Sequence, residues 1–165
     1  MEFKFLLQSQ ITAIELESIV SLKKLHWDYS IEEHINWIKA NIQADDIHVL
    51  MVENNELIGY LNLIKTQVII NSKTHPFLGI GNVCTRNKGK GYGKDLLTAI
   101  NNYLIINSLN GILLCKNDLM GFYSKVNWVL VDDSIRDQNS YKNINFMLFN
   151  YEDEITDFKY SGRNF

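Results

Sequence analysis

The chain has little proline, little cysteine and no long apolar run. Its 165 residues include one proline and two cysteines, and no Ser/Gly-rich or low-complexity stretch marks a linker. We therefore expect a single domain over residues 1–165. No apolar run approaches the roughly 20 residues needed to cross a bilayer, and the first residues lack the layout of a signal peptide. We expect a cytoplasmic protein with no membrane partner.

The cysteines and histidines show no recognisable metal-binding pattern. Cys84 and Cys115 lie far apart in apolar, strand-like segments, which favours buried free thiols over a disulfide or a zinc site. The histidines have no metal-binding spacing such as HExxH, so we expect no metal. The four histidines are His26, His34, His48 and His75.

The charge of the chain is nearly balanced, except in one loop. The sequence holds 16 Lys and Arg against 19 Asp and Glu, and its formal net charge of −3 argues against a nucleic-acid partner. The exception is segment 83–97, VCTRNKGKGYGKDLL, which joins a strand-like segment to a helix-like one. This segment contains four cations and three glycines: Arg86, Lys88, Lys90 and Lys94, with Gly89, Gly91 and Gly93.

The glycine-rich loop predicts a site for a phosphate group. Glycines let backbone N–H groups turn towards an anion, and the start of the following helix adds the positive end of its dipole. Two familiar phosphate motifs do not fit this loop. A Walker A motif would need glycine at position 88 and Ser or Thr at position 95, where this chain has Lys88 and Asp95. A dinucleotide fingerprint that starts at Gly89 would need a small residue at position 94, which is Lys94.

Hydrophobic periodicity predicts alternating strands and helices, and hence a mixed α/β sheet. Ser30 followed by Glu33 is a capping-box pattern that marks the start of a helix. Asn54-Asn55 predicts a hairpin turn, with a bend or bulge near Gly59. We predict helices at 12–25, 30–43, 91–107 and 118–126, and strands at 3–7, 47–53, 56–70, 77–85, 111–115, 127–131 and 144–149, with a turn-like break at 71–76 and an irregular tail after 151.

The loop resembles the signature of the GNAT superfamily of N-acetyltransferases. That signature is Arg or Gln, two residues, Gly, one residue, then Gly or Ala, between the fourth strand and the third helix. Lys88, Gly91 and Gly93 occupy these positions in KGKGYG. Lysine in the first position departs from the usual Arg or Gln; it supplies the charge without the planar fork of arginine.

A second segment strengthens the resemblance. LLCKNDLMGFYSKVNW (113–128) is similar to the family's fifth strand, fourth helix and entry to the next strand, where FYxKxGF or FYxKxGW is common. Phe122, Tyr123, Lys125 and Trp128 match this pattern, and Asn127 replaces its glycine. The order of predicted elements also agrees with the family's fold across nearly the whole chain.

The resemblance implies a fold, a co-substrate and a set of site residues. The implied fold is a mostly antiparallel sheet splayed between its fourth and fifth strands and flanked by about four helices. The implied reaction is direct acetyl transfer from acetyl-CoA to an amine in a ternary complex, with Tyr123 as general acid. The implied cofactor-binding residues are Val83, Cys84 and Thr85 through their backbone, Lys88, Gly89, Lys90, Gly91, Tyr92, Gly93 and Lys94 at the diphosphate, and Asn117.

The general base is left open. Many family members use a glutamate on the fourth strand, but FLGIGNVCT (77–85) contains no acid, and its only plausible polar contributor is Asn82. A water relay or a carboxylate at the end of the tail would serve equally well. Four further residues are candidates by residue type alone: Glu53, Asp118, His26 and His48.

The acceptor is left open as well. Trp27, Tyr29 and Trp37 either pack two helices together or wall the acceptor site. Residues 48–85 show weak similarity to the aminoglycoside 2'-N-acetyltransferase branch, which makes an aminoglycoside or a polyamine one hypothesis and a protein N-terminus or lysine another. The rival function is a catalytically silent acyl-CoA sensor or interaction module, and a phosphate binder unrelated to CoA comes third. Both a monomer and a homodimer are compatible with the sequence.

Overall fold

The computed structural model describes residues 1–137, 141 and 143–165. The chain divides into two compact units. The first comprises residues 1–64, 81–99 and 164–165, and the second comprises residues 65–80 and 100–163. The single domain over residues 1–165 stays a prediction.

The described residues contain eight strands and four α-helices. The strands are β1 (Glu2–Leu7), β2 (Ile47–Glu53), β3 (Glu56–Ile70), β4 (Lys73–Thr85), β5 (Gly111–Cys115), β6 (Val129–Leu130), β7 (Asn145–Phe149) and β8 (Phe158–Lys159). The helices are α1 (Ala13–Lys23), α2 (Ile31–Asn41), α3 (Tyr92–Ile106) and α4 (Asn117–Ser124). Short 3-10 turns occur at Gln8–Gln10 and Asp133–Ile135.

The strands form a mixed sheet in the order β1-β2-β3-β4-β5-β7-β6, and β8 pairs with β3. The pairs β1–β2, β2–β3, β5–β7 and β6–β7 are antiparallel, whereas β4 and β5 are parallel. The parallel pairing covers Leu78–Ile80 and Gly111–Leu113, and β4 continues beyond it to Thr85. This mixed α/β fold with four helices in the described residues confirms the predicted fold class.

In the first unit, local polar contacts define where helices and turns begin. The Ser30 hydroxyl accepts from the Glu33 N–H at 3.2 Å, and the Glu33 carboxylate accepts from the Ser30 N–H at 2.7 Å. This reciprocal capping box satisfies two N–H groups at the start of α2, as predicted. Asn54 and Asn55 have φ of 50° and 64°, which suits the tight hairpin between β2 and β3.

The predicted irregularity near Gly59 is present. The register of β2 and β3 shifts between Met51, which faces Gly59, and Val52, which faces Leu57. Ile58 is therefore the extra residue of a bulge, which bends β3. Helices α1 and α2 cover this hairpin through an apolar cluster of buried side chains: Ile19, Val20, Leu22, Ile38, Ile42, Leu50, Leu57, Tyr60, Ile64 and Cys84.

In the second unit, a buried asparagine ties helix α3 to the segment after α4. The indole N–H of Trp128 donates to Asn101 Oδ1 at 3.0 Å, and Asn101 Nδ2 donates to the Val126 carbonyl at 2.7 Å. Trp128 is 2% exposed, so these bonds satisfy polar groups that water does not reach. Gly111 makes room for this tryptophan, because a Cβ there would lie 2.7 Å from Trp128 Cη2.

Two predictions about the second unit are wrong. The break at 71–76 is only a two-residue turn, since Asn71 and Ser72 have φ of 51° and 63° and β4 already begins at Lys73. The tail is not irregular throughout, because Phe158–Lys159 pairs with Ile69–Ile70 of β3. The side chain of Asn71 accepts from the Thr156 N–H at 2.8 Å and so holds the tail beside this turn. The strand predicted at 127–131 is shortened to Val129–Leu130.

Two further observations concern cysteines and membranes. Cys84 and Cys115 are buried free thiols, as predicted.

In the part of the chain that the structure describes, no helix combines the length and the apolar character that a membrane span requires.

Candidate functional site

The glycine-rich loop adopts a conformation that suits anion binding. Gly89 and Gly91 have φ of 80° and 82°, in the left-handed region that glycine enters without strain. A Cβ at either position would meet nothing within 4 Å, so these glycines serve the backbone conformation and not close packing. Helix α3 begins at Tyr92, directly after Gly91. Its first turn leaves N–H groups without intrahelical partners, as at the start of any α-helix.

Three of the four predicted cations are available at this loop. Lys88, Lys90 and Lys94 are exposed, and none of them makes an ion pair within the described residues. Arg86 is already engaged, because its Nε lies 3.0 Å from a Glu56 carboxylate oxygen and donates to the Leu57 carbonyl at 3.2 Å. The free positive charge is therefore concentrated on the lysines around Gly89 and Gly91.

The end of β4 leads into this loop. Cys84 is 3% exposed, and burial raises the pKa of its thiol to about 12. A thiol with such a pKa is a poor nucleophile at neutral pH, which agrees with a packing role. Val83 and Thr85 are half-buried, and the Thr85 carbonyl accepts a hydrogen bond from His26 Nε2 at 2.7 Å.

A pocket of about 510 Å³ lies in the first unit beside β4. It brings together the three aromatic residues that the sequence linked to an acceptor site, with two polar residues of α2 and one of β4. The backbone of Phe165 lies against Gly81 of β4, where a Cβ atom would collide with it. The pocket is lined by Trp27, Tyr29, Glu33, His34, Trp37, Asn82 and Phe165.

Asn82 holds its place in the pocket wall through two hydrogen bonds. Its Oδ1 accepts from Lys23 Nζ at 2.7 Å, and its Nδ2 donates to Asn62 Oδ1 at 2.6 Å. Its φ is 54°, a left-handed conformation that asparagine tolerates better than most residues. Both polar ends of the Asn82 side chain are thus engaged, so it is a fixed part of the wall and not a free base.

Lys23 is a buried cation without an acidic partner among the described residues. The residue is 3% exposed, and its ammonium lies over the Trp37 ring, 4.5 Å from the centroid, and more distantly over Trp27 at 5.7 Å. Burial lowers its pKa from 10.5 to about 8. Neither the sequence pattern nor the resemblance indicated Lys23, because nothing in the sequence distinguishes it from the other lysines of the predicted helices.

His34 is a second residue that the sequence analysis missed. It is 3% exposed, lines the pocket, and has an Nε2 atom without a hydrogen-bond partner. Burial, followed by the charge of Lys23, holds the pKa of its ring below the ordinary 6.5. Its position among the apolar residues of α2 indicated only a core-facing side chain.

Of the base candidates that the sequence suggested, Asn82 and the tail residue Phe165 line the pocket, and the four candidates by residue type do not. His48 is fully buried with Tyr60 and Gln8 as partners of its two ring nitrogens, and burial lowers its pKa to about 4. The Glu53 carboxylate accepts from the Tyr92 hydroxyl at 3.1 Å. His26 uses Nε2 to bond the Thr85 carbonyl. Asp118 is exposed at the start of α4.

Tyr123 and Asn117 lie on α4 in the second unit. Tyr123 is 7% exposed, and burial raises the pKa of its hydroxyl to about 12, so it is protonated at neutral pH. Asn117 is exposed, and its Oδ1 accepts from Asn145 Nδ2 at 2.7 Å. It does not cap α4, whose N-cap residue is Lys116. Asn127 has φ of 67°, which explains why asparagine can replace the glycine of the FYxKxG pattern.

Comparison with known proteins identifies the fold. No protein-family model matches the chain, and no curated protein sequence matches it. Among solved structures, ElaA from Escherichia coli is similar at 17% identity and a TM-score of 0.65, covering 90% of this chain and 98% of that one. An acyl-CoA N-acyltransferase from Pseudomonas aeruginosa is similar at 14% identity and a TM-score of 0.63, covering 90% and 97%.

A third similar structure carries a ligand. It is an aminoglycoside 6'-N-acetyltransferase complexed with coenzyme A, at 13% identity and a TM-score of 0.61, covering 90% of this chain and 96% of that one. These likenesses confirm that the chain has the acyl-CoA N-acyltransferase fold implied by the sequence resemblance. The weak similarity to the 2'-N-acetyltransferase branch stays a prediction.

Replacing Lys23 should change how stability depends on pH. The folded-state pKa of about 8 lies below the ordinary 10.5. Between these values the unfolded chain binds a proton that the folded protein has released, so stability rises with pH. Relative to Lys23→Met, we expect the wild type to gain about 2–3 kcal/mol between pH 7 and pH 10, as measured by urea unfolding.

The neighbouring exposed Lys24 supplies the matched control. Lys24→Met should show the same pH dependence as the wild type. If Lys23→Met also tracks the wild type across this range, the ammonium is solvated and the structural assignment of Lys23 is wrong.

Proposed function

We propose that the protein is an acetyl-CoA-dependent N-acetyltransferase that acetylates a primary amine of a small acceptor by direct transfer in a ternary complex. The observation that carries this proposal is the loop before α3. Gly89 and Gly91 take left-handed conformations there, helix α3 begins at once, and three exposed lysines surround the turn. The shared fold supports the proposal, since one similar structure is a complex with coenzyme A.

The donor half of the proposed site follows from the chemistry of CoA. Its diphosphate is matched by the lysines and the first N–H groups of α3, and each favourable charge there is worth roughly 0.3–1 kcal/mol. Its pantetheine amides would pair with the backbone of β4 at Val83, Cys84 and Thr85. In this proposal Lys88, Gly89, Lys90, Gly91, Tyr92, Gly93 and Lys94 hold the diphosphate, and Asn117 contacts the cofactor.

The acceptor half is the aromatic pocket. Its volume of about 510 Å³ is in the range of small-molecule sites. The faces of Trp27 and Trp37 attract cations through their quadrupoles, and Glu33 adds a carboxylate to the wall. These features favour a small organic amine. An aminoglycoside or polyamine belongs to that class, whereas a protein N-terminus or lysine is the other hypothesis.

The reaction requires two proton movements. An amine with a pKa near 10.4 costs about 5 kcal/mol to deprotonate at pH 7, so a proton acceptor must assist. The departing thiolate of CoA, with a thiol pKa near 8.5, takes a proton from Tyr123. Burial raises the pKa of Tyr123 to about 12, so it holds its proton at neutral pH but gives it up less readily than a free phenol. Alignment of amine and thioester contributes further, up to roughly 7–11 kcal/mol.

The alternative is a silent acyl-CoA sensor. It is favoured by one observation, namely that β4 carries no acidic residue where many members of the GNAT superfamily use a glutamate. A sensor would keep the loop and bind acetyl-CoA without releasing free CoA in the presence of any amine.

Acetyl-CoA should raise the melting temperature of the protein. At 100 times its Kd, a ligand that binds only the folded state adds about 2.7 kcal/mol of stability. The double variant Lys88→Ala/Lys90→Ala should bind about 10-fold more weakly, because it loses two charges beside the diphosphate. Lys39→Ala, which removes an exposed lysine from α2, is the matched control and should bind like the wild type. No stabilisation by millimolar acetyl-CoA would refute the proposed function.

Replacing the tyrosine hydroxyl should slow turnover but spare binding. For Tyr123→Phe we expect kcat to fall by about 10²-fold, as is typical of the loss of a general acid, with acetyl-CoA affinity within about two-fold of the wild type. Tyr151→Phe is the matched control, since this half-buried tyrosine contacts His75 and Phe77 through its ring alone. Equal kcat values for Tyr123→Phe and the wild type, measured by thiol release, would show that Tyr123 is not the general acid.

A further inference from the structure

His34 is a buried residue of the pocket wall, and one of its ring nitrogens has no hydrogen-bond partner. The described residues contain two buried side-chain nitrogens without a hydrogen-bond partner, His34 Nε2 and Asn62 Nδ2. Of these two residues, only His34 lines the pocket. A buried acceptor without a partner costs about 1–3 kcal/mol, so its retention in the wall of a cavity points to a ligand that supplies the missing partner.

The proton of the neutral ring can lie on either nitrogen. Nε2 has no hydrogen-bond partner, and the nearby backbone of Trp27 raises the pKa of the ring. The role proposed below requires the tautomer with its proton on Nδ1, in which Nε2 presents a lone pair that can receive an N–H.

The charges around the ring keep it neutral. Burial and the ammonium groups of Lys23 and Lys24 on the α1 side lower the pKa of His34, while Glu33 on its own helix raises it. The net direction is downward from 6.5, so the imidazole is uncharged at pH 7. The aromatic neighbour is Tyr29, whose ring lies edge-on to His34 at 5.7 Å between centroids.

Two other acceptor atoms of the pocket wall are already engaged. Asn82 Oδ1 accepts from Lys23 Nζ at 2.7 Å. The Oε2 atom of Glu33 accepts from the Ser30 N–H at 2.7 Å as part of the capping box of α2. A primary amine that enters between the aromatic rings would find an unoccupied nitrogen lone pair on His34.

We propose that His34 Nε2 accepts the N–H of the acceptor amine and takes its proton during acetyl transfer. This inference rests on the proposed function. The acceptor reacts as the neutral amine, after its ammonium form has lost one proton to water. Its lone pair forms the new N–C bond at the thioester carbonyl, the C–S bond breaks, the remaining N–H proton passes to His34 Nε2, and the thiolate takes a proton from the general acid. The base and the acid then regain their starting protonation by exchange with water. The products are the amide and free CoA.

Access to Nε2 requires a local movement. The atom is shielded from water, and the Tyr29 ring against His34 is 57% exposed, so it has room to swing outwards. The amine would take the place that this ring vacates beside His34.

The first test observes the nitrogen directly. In full-length protein with ¹⁵N-labelled histidine rings, the NMR spectrum should show His34 neutral and protonated at Nδ1 at pH 7. Benzylamine, chosen because it joins an amine to an aromatic ring, should shift the Nε2 signal of His34 saturably and leave His75 unchanged. A His34 ring protonated at Nε2, or an Nε2 signal that does not respond to benzylamine, would overturn the proposal.

The second test uses a variant that keeps the structural bond. His34→Asn retains a side-chain N–H near the position of Nδ1 but has no counterpart of Nε2. With the amine that the wild type acetylates fastest, kcat should fall at least 10²-fold, and the decline of kcat/KM at acidic pH, centred below 6.5, should disappear. His75→Asn, outside the pocket, should behave like the wild type. An unchanged pH profile in His34→Asn would overturn the role of His34.

The failure of this inference is distinguishable from the failure of the proposed function. Acetyl-CoA that stabilises both the wild type and His34→Asn, combined with no response of Nε2 to benzylamine, refutes the role of His34 alone. A benzylamine-induced shift of Nε2 without stabilisation by acetyl-CoA refutes acetyl transfer, and with it the proton transfer proposed for His34. If no amine is acetylated, the NMR measurement by itself decides whether Nε2 receives an amine N–H.

Discussion

The hydrogen bond between Lys23 and Asn82 is the interaction on which the candidate site depends. It joins the last residue of α1 to Asn82 of β4. Asn82 has a left-handed backbone conformation and lies three positions before the strand ends at Thr85. A charged lysine is costly to bury without a carboxylate partner, and here the compensation comes from one amide oxygen and the faces of Trp37 and Trp27. The same strand then leads into the glycine loop. One strand therefore supplies a wall of the aromatic pocket and the approach to the glycine-rich loop.

The parts of the site that sequence could predict are those set by local backbone chemistry. Gly89 and Gly91 were recognisable because left-handed turns favour glycine and the next residues begin a helix. The capping box at Ser30 and the hairpin at Asn54-Asn55 are local in the same sense. The matches at Tyr123 and Trp128 came from resemblance, and the similar solved structures confirm the fold that it implied.

The parts that could not be predicted depend on contacts between residues far apart in the chain. Lys23 is distinguished from Lys24 only by its burial against Asn82 and two tryptophans. His34 is distinguished by an unpartnered nitrogen, which is a property of its surroundings and not of its place in the helical pattern. The strand β8 was missed because its partner β3 is distant in the chain. The side chain of Asn71, beside that pairing, binds residues 154 to 157 across a similarly large sequence separation. The fold class could therefore be predicted from sequence patterns, whereas the surroundings that single out Lys23 and His34 could not.

The central claim is that acetyl-CoA bound at this loop is used to acetylate an amine. Release of free CoA from acetyl-CoA, measured over a panel of aminoglycosides, polyamines, simple aryl amines and lysine-containing peptides, tests it most directly. The account predicts amine-dependent release well above the hydrolysis rate for at least one small organic amine. Acetyl-CoA binding without amine-dependent release across the whole panel would contradict the account and establish a binding module instead.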